Sequence, residues 1–440
     1  MLLLYRLLTA LAIVVLAPYY AVRGWRRGEP LQTLRERLGG LPSEIRAEAS
    51  RGGAIWVHAV SVGEVLAAKP IVEGLKKRFP GQPIFVSTTT ETGQRLARER
   101  LSSATRVFYF PLDASGPVRR ALRAIGPDIV VIMETEIWPN FLREAHKARV
   151  PVVFANARIS ERSFARFQRW RFLLDIFFEA TLAKATLFLA QTDEDAARLE
   201  EMGAFEEQIV VAGNLKYDVQ PPAQSEFGHW LEAEIRRQER WPVVVAGSVV
   251  AMEEEPVLAA YDAVQRQWRR ALLVLAPRKP DRFDDAARIA ADAGWTVVRR
   301  SRLDMRKSLD ENADVLLLDS IGELAGIYAL GDATFVGGSL VPSGGHNILE
   351  PAWFGKPPVF GTSMENFRDM ADQFLDAHAA VRVVNGSMLG KVWVQLIEGD
   401  QLRERMGRAA QQLSARNCGA TARSIERIAA ILDRGKEAAS

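Results

Sequence analysis

Cysteine is almost absent, since Cys418 stands alone among 440 residues. A single thiol makes neither an internal disulfide nor a cysteine-rich zinc site, so nothing here asks for an oxidising compartment. Histidine is scarce as well: His58, His146, His229, His346 and His378 fall at no metal-ligand spacing. The one D-x-D-like triplet, Asp193 to Asp195, opens a predicted helix, where acids complement the dipole, and no metal site is expected. Both the P-loop and the dinucleotide G-x-G-x-x-G turn are missing, which removes two common nucleotide cradles. Charge of one sign is also lacking. The formal net charge is +3, yet six arginines against Glu29 and Glu36 already lie in the first 40 residues, leaving the other 400 close to neutral. That excludes a nucleic-acid-coating surface. With 48% hydrophobic and 25% charged residues the chain is neither disordered, collagen-like nor a multi-span membrane protein, and its length suits two domains.

Long apolar runs are confined to one place. From Leu7 to Val22 the chain is almost without polarity, and Leu2 to Leu4 extend the run if Arg6 snorkels toward the headgroups. Tyr19, Tyr20 and Trp25 follow at its end, then Arg23, Arg26, Arg27, Arg35 and Arg37. Interfacial aromatics and trailing arginines predict an uncleaved anchor, spanning the membrane or lying in its interface, with the body on the cytoplasmic side. A cleaved secretory signal is the competing reading, but it carries its charge before the apolar stretch. The arginines suit the anionic inner leaflet.

Beyond this anchor and its basic juxtamembrane segment (1–50), short apolar runs alternate with segments of helical period. Ile55 to Val60, Ile84 to Ser87, Val107 to Phe110, Ile129 to Met133, Val152 to Ala155, Leu187 to Ala190 and Ile209 to Ala212 read as buried parallel strands. They predict a first doubly wound, Rossmann-like α/β domain over 51–220. Pro221-Pro222 and a charged stretch over 221–240 read as a linker. A second series of seven strands, from Val243 to Ala246 through Val381 to Val384, predicts a similar domain over 241–400, and helices close the chain over 401–440. Two such halves imply a ligand in the cleft between them.

Chemistry-bearing residues cluster where these strands end. Glu64, in Ser61-Val62-Gly63-Glu64, follows the first strand and serves either as a general base or as an acid favouring the first helical turn. Met133-Glu134-Thr135-Glu136-Ile137-Trp138-Pro139 places two carboxylates after the fourth strand, with Trp138 as core in the plainer reading. Lys216, in Gly213-Asn214-Leu215-Lys216-Tyr217-Asp218, suits an anion or is simply solvated. Pro277 and Arg278 end a strand of the second half, Arg278 being suited to phosphate. Ile321-Gly322-Glu323 offers backbone amides near a nucleotide. The glycine-rich stretch from Phe335 to Ala352, containing Asn347, Ile348, Leu349 and Glu350, is expected to expose N–H groups to an anion and a carboxylate to ribose hydroxyls.

The ordered segments HAVSVGE, METEIWPN, NARIS, GNLKYD, APRKPDRF, FVGGSLV and GGHNILEPA, behind an apolar N-terminus, closely resemble the 3-deoxy-D-manno-octulosonic acid (Kdo) transferases over nearly the whole chain. The resemblance implies the two-domain glycosyltransferase-B fold and inverting transfer of Kdo from CMP-Kdo to a lipid A precursor at the inner membrane. It implies no metal in the transfer step, and no cofactor is expected. It makes Glu64 the general base, and Glu134 and Lys216 transition-state stabilisers. It assigns the cytidine nucleotide to Pro277, Arg278, Ile321, Gly322, Glu323, Asn347, Ile348, Leu349 and Glu350. Two departures stand out: Lys279 replaces a histidine, and Val249-Val250-Ala251-Met252-Glu253 replaces a His-x-Gly-Glu, which reads as a variant donor pocket. The rivals are another nucleotide-sugar transferase or epimerase of the same fold, and a silent nucleotide-binding scaffold at the membrane.

Overall fold

The computed structural model describes Tyr5, Thr9 and residues 31–49, 53–219, 221 and 223–437. The apolar run read as an anchor lies, apart from Thr9, outside the described residues. Among the described residues no helix is long and apolar enough to cross a membrane. The chain divides into two units, Met1–Val219 with Asn417–Ser440, and Gln220–Arg416.

In the first unit seven parallel strands form one sheet: β1 (Ala54–His58), β2 (Ile84–Thr88), β3 (Arg106–Tyr109), β4 (Pro127–Met133), β5 (Val152–Ala157), β6 (Leu187–Ala190) and β7 (Ile209–Val211). Their order is β3-β2-β1-β4-β5-β6-β7. The central strands have apolar neighbours on both faces, so every residue of β1, β2 and β5 is buried. Trp56, Phe108, Phe141 and Phe188 fill one side; Val57, Ile71, Val86 and Val131 fill the other. The strand order, not the strand direction, reverses between β1 and β4, and that switch point opens a crevice at their C-terminal ends. Helices α1 (Val62–Arg78) and α2 (Pro139–Lys147) start there, while α3 (Glu161–Arg169) and α4 (Arg171–Leu182) follow β5.

The second unit repeats the plan with β8 (Val243–Val249), β9 (Leu272–Pro277), β10 (Val297–Arg299), β11 (Val315–Leu317), β12 (Ala333–Val336), β13 (Val359–Phe360) and β14 (Val381–Arg382), ordered β10-β11-β9-β8-β12-β13-β14. All pairings are parallel. The stretch read as a linker holds helix α5 (Glu226–Arg237), with Phe227 and Leu231 buried and the Glu234 carboxylate accepting the Leu309 N–H at 2.8 Å. It is therefore a packed part of this unit.

The closing helices divide at Asn417. The last one, α6 (Ala420–Glu437), belongs to the first unit, where Ala420, Ile428 and Leu432 join the core beside α1. Gly74 of α1 allows that approach, since a Cβ there would stand 2.0 Å from Ile425 Cδ1. Asp218 ties the same junction by accepting the N–H groups of Gly419 and Thr421.

Candidate functional site

After β1 the chain turns through Ala59-Val60-Ser61 into α1, which puts Glu64 in the first helical turn at the C-terminal edge of the sheet. The side chain is only 6% exposed. Its Oε2 accepts the Val60 N–H and its Oε1 the Ser61 hydroxyl, both at 2.8 Å. Burial pushes the carboxyl up to about 7, and the negative charges of Glu134 and Glu136 add to that against the two hydrogen bonds. Glu64 thus closes the start of a helix, and it is a buried carboxyl whose pKa lies near neutrality.

Glu134 follows β4 with φ 56, a left-handed conformation for a non-glycine residue. Strand β5 holds it there, because its N–H donates to the Ala155 carbonyl at 2.8 Å. Next to it the Thr135 hydroxyl donates to the Arg158 carbonyl and accepts the Arg158 N–H at 2.7 Å. Glu136 is pushed upward by burial and then by the charge of Glu134. Trp138 behaves as core, its ring 5.9 Å from that of Phe110, with Nε1 buried and unpartnered. Three carboxyls therefore share one edge of the first sheet.

Lys216 sits half-buried in a short 3-10 turn, Leu215–Asp218, capped by Asn214, whose Oδ1 accepts the Lys216 N–H at 3.0 Å. Leu215 is fully buried beneath it, and its N–H donates to Asn156 Oδ1 at 3.0 Å.

In the second unit Arg278, His346, Asn347 and Glu350 converge. Burial raises the Glu350 carboxyl to about 7, opposed by the Arg278 guanidinium and by a hydrogen bond from Asn347. Burial, and then the Arg278 charge, lower the His346 imidazole to about 4, so it is neutral at pH 7. Its Nε2 is buried without a partner. Arg278 itself is exposed, and Pro277 ends β9 buried. Ile348 and Leu349 are fully buried, and the Leu349 N–H donates to Asn347 Oδ1 at 3.1 Å. Ile321 is 68% exposed and Gly322 has φ 93, while Glu323 accepts two hydrogen bonds from Arg300, at 3.1 and 3.2 Å, and one from the Ser320 hydroxyl.

The glycine-rich turn corrects one expectation. In its first part, at 338–340, the amides do not await an outside anion: Gly338, Ser339 and Leu340 donate to the carboxylate of Glu253 at 2.7, 2.8 and 2.8 Å, and Val250 donates to it at 3.0 Å. Glu253 is fully buried, and these four N–H groups match the acceptor capacity of a carboxylate. The residue retained from the altered His-x-Gly-Glu stretch is thus the internal anion that shapes the turn. A glycine is required at Gly337, where a Cβ would meet the Ser248 carbonyl oxygen at 2.4 Å.

Each unit therefore brings together its own group: Glu64 with Glu134 and Glu136 in the first, Arg278 with Asn347 and Glu350 in the second. Sequence reasoning left Asn156, Glu253, Arg300 and His346 without roles. Of these, Asn156 and His346 lay inside quoted motifs, and Glu253 was noticed only as a retained residue.

A sequence model of a family described as 3-deoxy-D-manno-octulosonic-acid transferase (kdotransferase) matches residues 32–219. Relatives named 3-deoxy-D-manno-octulosonic acid transferase include one from Bordetella pertussis, 35% identical over 95% of this chain and 97% of its own. Another, from Haemophilus influenzae, is 31% identical over 92% of both. A solved structure of a putative UDP-N-acetylglucosamine 2-epimerase from Listeria monocytogenes covers 87% of this chain and 97% of its own with a TM-score of 0.59. At 14% identity that likeness is one of fold.

Proposed function

This chain belongs to the 3-deoxy-D-manno-octulosonic acid (Kdo) transferase family, a glycosyltransferase of lipopolysaccharide synthesis, and from that premise we propose an inverting, metal-independent transfer of Kdo from CMP-Kdo to a lipid A precursor. The observation that carries the mechanism is Glu64, a buried carboxyl raised to about 7 at the C-terminal edge of the first sheet. In this reading it takes the proton of an acceptor sugar hydroxyl as that oxygen bonds to the anomeric carbon of Kdo. The bond from that carbon to the CMP phosphate breaks on the opposite side, and the electron pair leaves with the phosphate. Glu134 faces positive charge growing at the anomeric carbon, while Lys216 and Arg278 counter the negative charge of the donor carboxylate and departing phosphate. Those cations supply the charge stabilisation for which other transferases use a divalent ion. In this reading Asn347 and Glu350, with the segments that carry Pro277, Ile321, Gly322, Glu323, Ile348 and Leu349, hold the cytidine nucleotide.

The acceptor's acyl chains keep it in a bilayer, so the enzyme works at the cytoplasmic face of the inner membrane. Features at one side of the first unit support that placement. Tyr5, inside the apolar N-terminal segment, donates to Asp113 at 2.8 Å, and its ring lies 5.7 Å from that of Phe177 of α4, tilted by 53°. Along α3 and α4 the exposed Arg162, Arg166 and Arg169 lie beside exposed Trp170, Phe172 and Ile176, a mixture of cationic and apolar groups that suits anionic headgroups.

The test is a transfer assay with CMP-Kdo generated in place, a tetraacylated lipid A precursor and EDTA, read by mass spectrometry. The native protein is expected to add Kdo. Glu64→Gln is expected to lose at least about 100-fold in kcat while still binding the donor. Undiminished transfer by Glu64→Gln would remove this residue from the mechanism, and no transfer by folded native protein would remove the proposed donor and acceptor pair.

A further inference from the structure

The side chain of Asn156 ties β5 to the segment that carries Lys216. We infer that Asn156 is a positioning residue for transfer, holding Lys216 in register with Glu134; this rests on the reading of Lys216 as a group that stabilises the transition state.

The register of β5 against β6 shifts between Ala155 and Ala157, and Asn156 occupies the break with φ 60 while only 1% exposed. A bulge re-aims the side chain that would otherwise follow the pleat. Here the redirected Oδ1 accepts the Leu215 N–H at 3.0 Å, immediately before Lys216. On its other side, the carbonyl of Ala155 takes the N–H of Glu134 at 2.8 Å. The Asn156 carbonyl accepts Gln191 Nε2 at 3.1 Å, and the Ala157 carbonyl accepts the Gln191 N–H at 3.0 Å, so the bulge is braced by the residue that follows β6. One irregular point of one strand therefore sets two functional segments that lie far apart in sequence.

The choice of residue fits this role. Asparagine tolerates the left-handed region and supplies a neutral acceptor. Glycine would supply the backbone without the acceptor, and a hydrocarbon side chain would leave the buried Leu215 N–H unpaired. The Asn156 amino group is itself buried with no partner, so the fold keeps an unsatisfied donor to retain that one carbonyl. Beneath Lys216, Leu215 and Tyr217 are buried, and Asn214 accepts the Lys216 N–H, so a turn anchored on alternate residues passes the position of Leu215 on to its neighbour.

The experiment is a double-mutant cycle on the full chain, with kcat and the KM for CMP-Kdo measured for Asn156→Gly, Lys216→Ala, the double variant and Asn156→Asp. Asn156→Gly is expected to lower kcat about tenfold with KM changed less than about twofold. Asn156→Asp, the isostere that keeps an acceptor, is expected to stay within about threefold of native kcat. In the double variant the glycine substitution is expected to add nothing to the loss from Lys216→Ala, since coupled residues are not additive. Native kcat in Asn156→Gly, or a full additive loss in the double variant, overturns the inference alone. Native kcat in Lys216→Ala overturns the reading of Lys216, and this inference with it. Thermal melts accompany each variant; where Asn156→Gly does not fold, Asn156→Ser, whose hydroxyl stops short of Leu215, takes its place in the cycle.

Discussion

Glu64 holds its proton to a higher pH than an exposed glutamate chiefly because burial penalises its ionised form, to which Glu134 and Glu136 add a smaller upward push. The sign has two consequences. The unfolded chain loses this proton near 4.5 and the folded one near 7, so stability is lost as pH rises across that window. A general base must be ionised, so activity moves the opposite way, and kcat/KM is expected to rise with pH to a plateau above about 7. Replacing Glu136 by Gln removes one neighbouring charge, and the acid limb is expected to move to lower pH. A pH profile of that variant checks this; a limb that stays in place would mean that Glu136 does not act on the base. Neither the pKa nor its cause was legible in Ser61-Val62-Gly63-Glu64, because the burial that dominates it is decided by tertiary packing and the charged neighbours come from the end of another strand.

At the scale of elements, parallel strands were the most legible feature, since a strand covered on both faces must be apolar throughout, as β1 and β5 are. Loops were less so. The stretch that ends β8 and follows it reads as a variant donor pocket, yet Glu253 within it organises a turn 85 residues further on. Amphipathic helices showed which side was apolar but not what it met. In α3 and α4 part of that side remains open: Phe172 is 79% and Ile176 77% exposed beside the arginines of α3. An environment-sensitive fluorophore on Phe172→Cys, in a chain with Cys418→Ser, is expected to shift to the blue with vesicles containing anionic lipid and to respond weakly to neutral vesicles. An unchanged spectrum with anionic vesicles would detach this hairpin from the proposed membrane surface.

For the whole molecule, the chain's course matters as much as its elements. Helix α6 closes the core of the first unit although 197 residues of the second, from Gln220 to Arg416, intervene. Ile428→Ala is expected to cost about 2 to 4 kcal/mol. Hydrogen exchange should place the lost protection in α1 and β4, and a loss confined to residues 220–416 would contradict this division. The sequence by itself determined the two α/β series, the positions of their strands and the carboxylates and cations at the strand ends, because burial on both faces and strand-to-helix turns leave local composition signatures. Only the tertiary structure decided that Glu64 meets Glu134 and Glu136, that Glu253 fills the glycine-rich turn, that Asn156 holds Leu215, and that the last helix returns to the first unit. Those are contacts between residues far apart in the chain, where side-chain reach and close packing select the partner, and no local pattern encodes which partner that is.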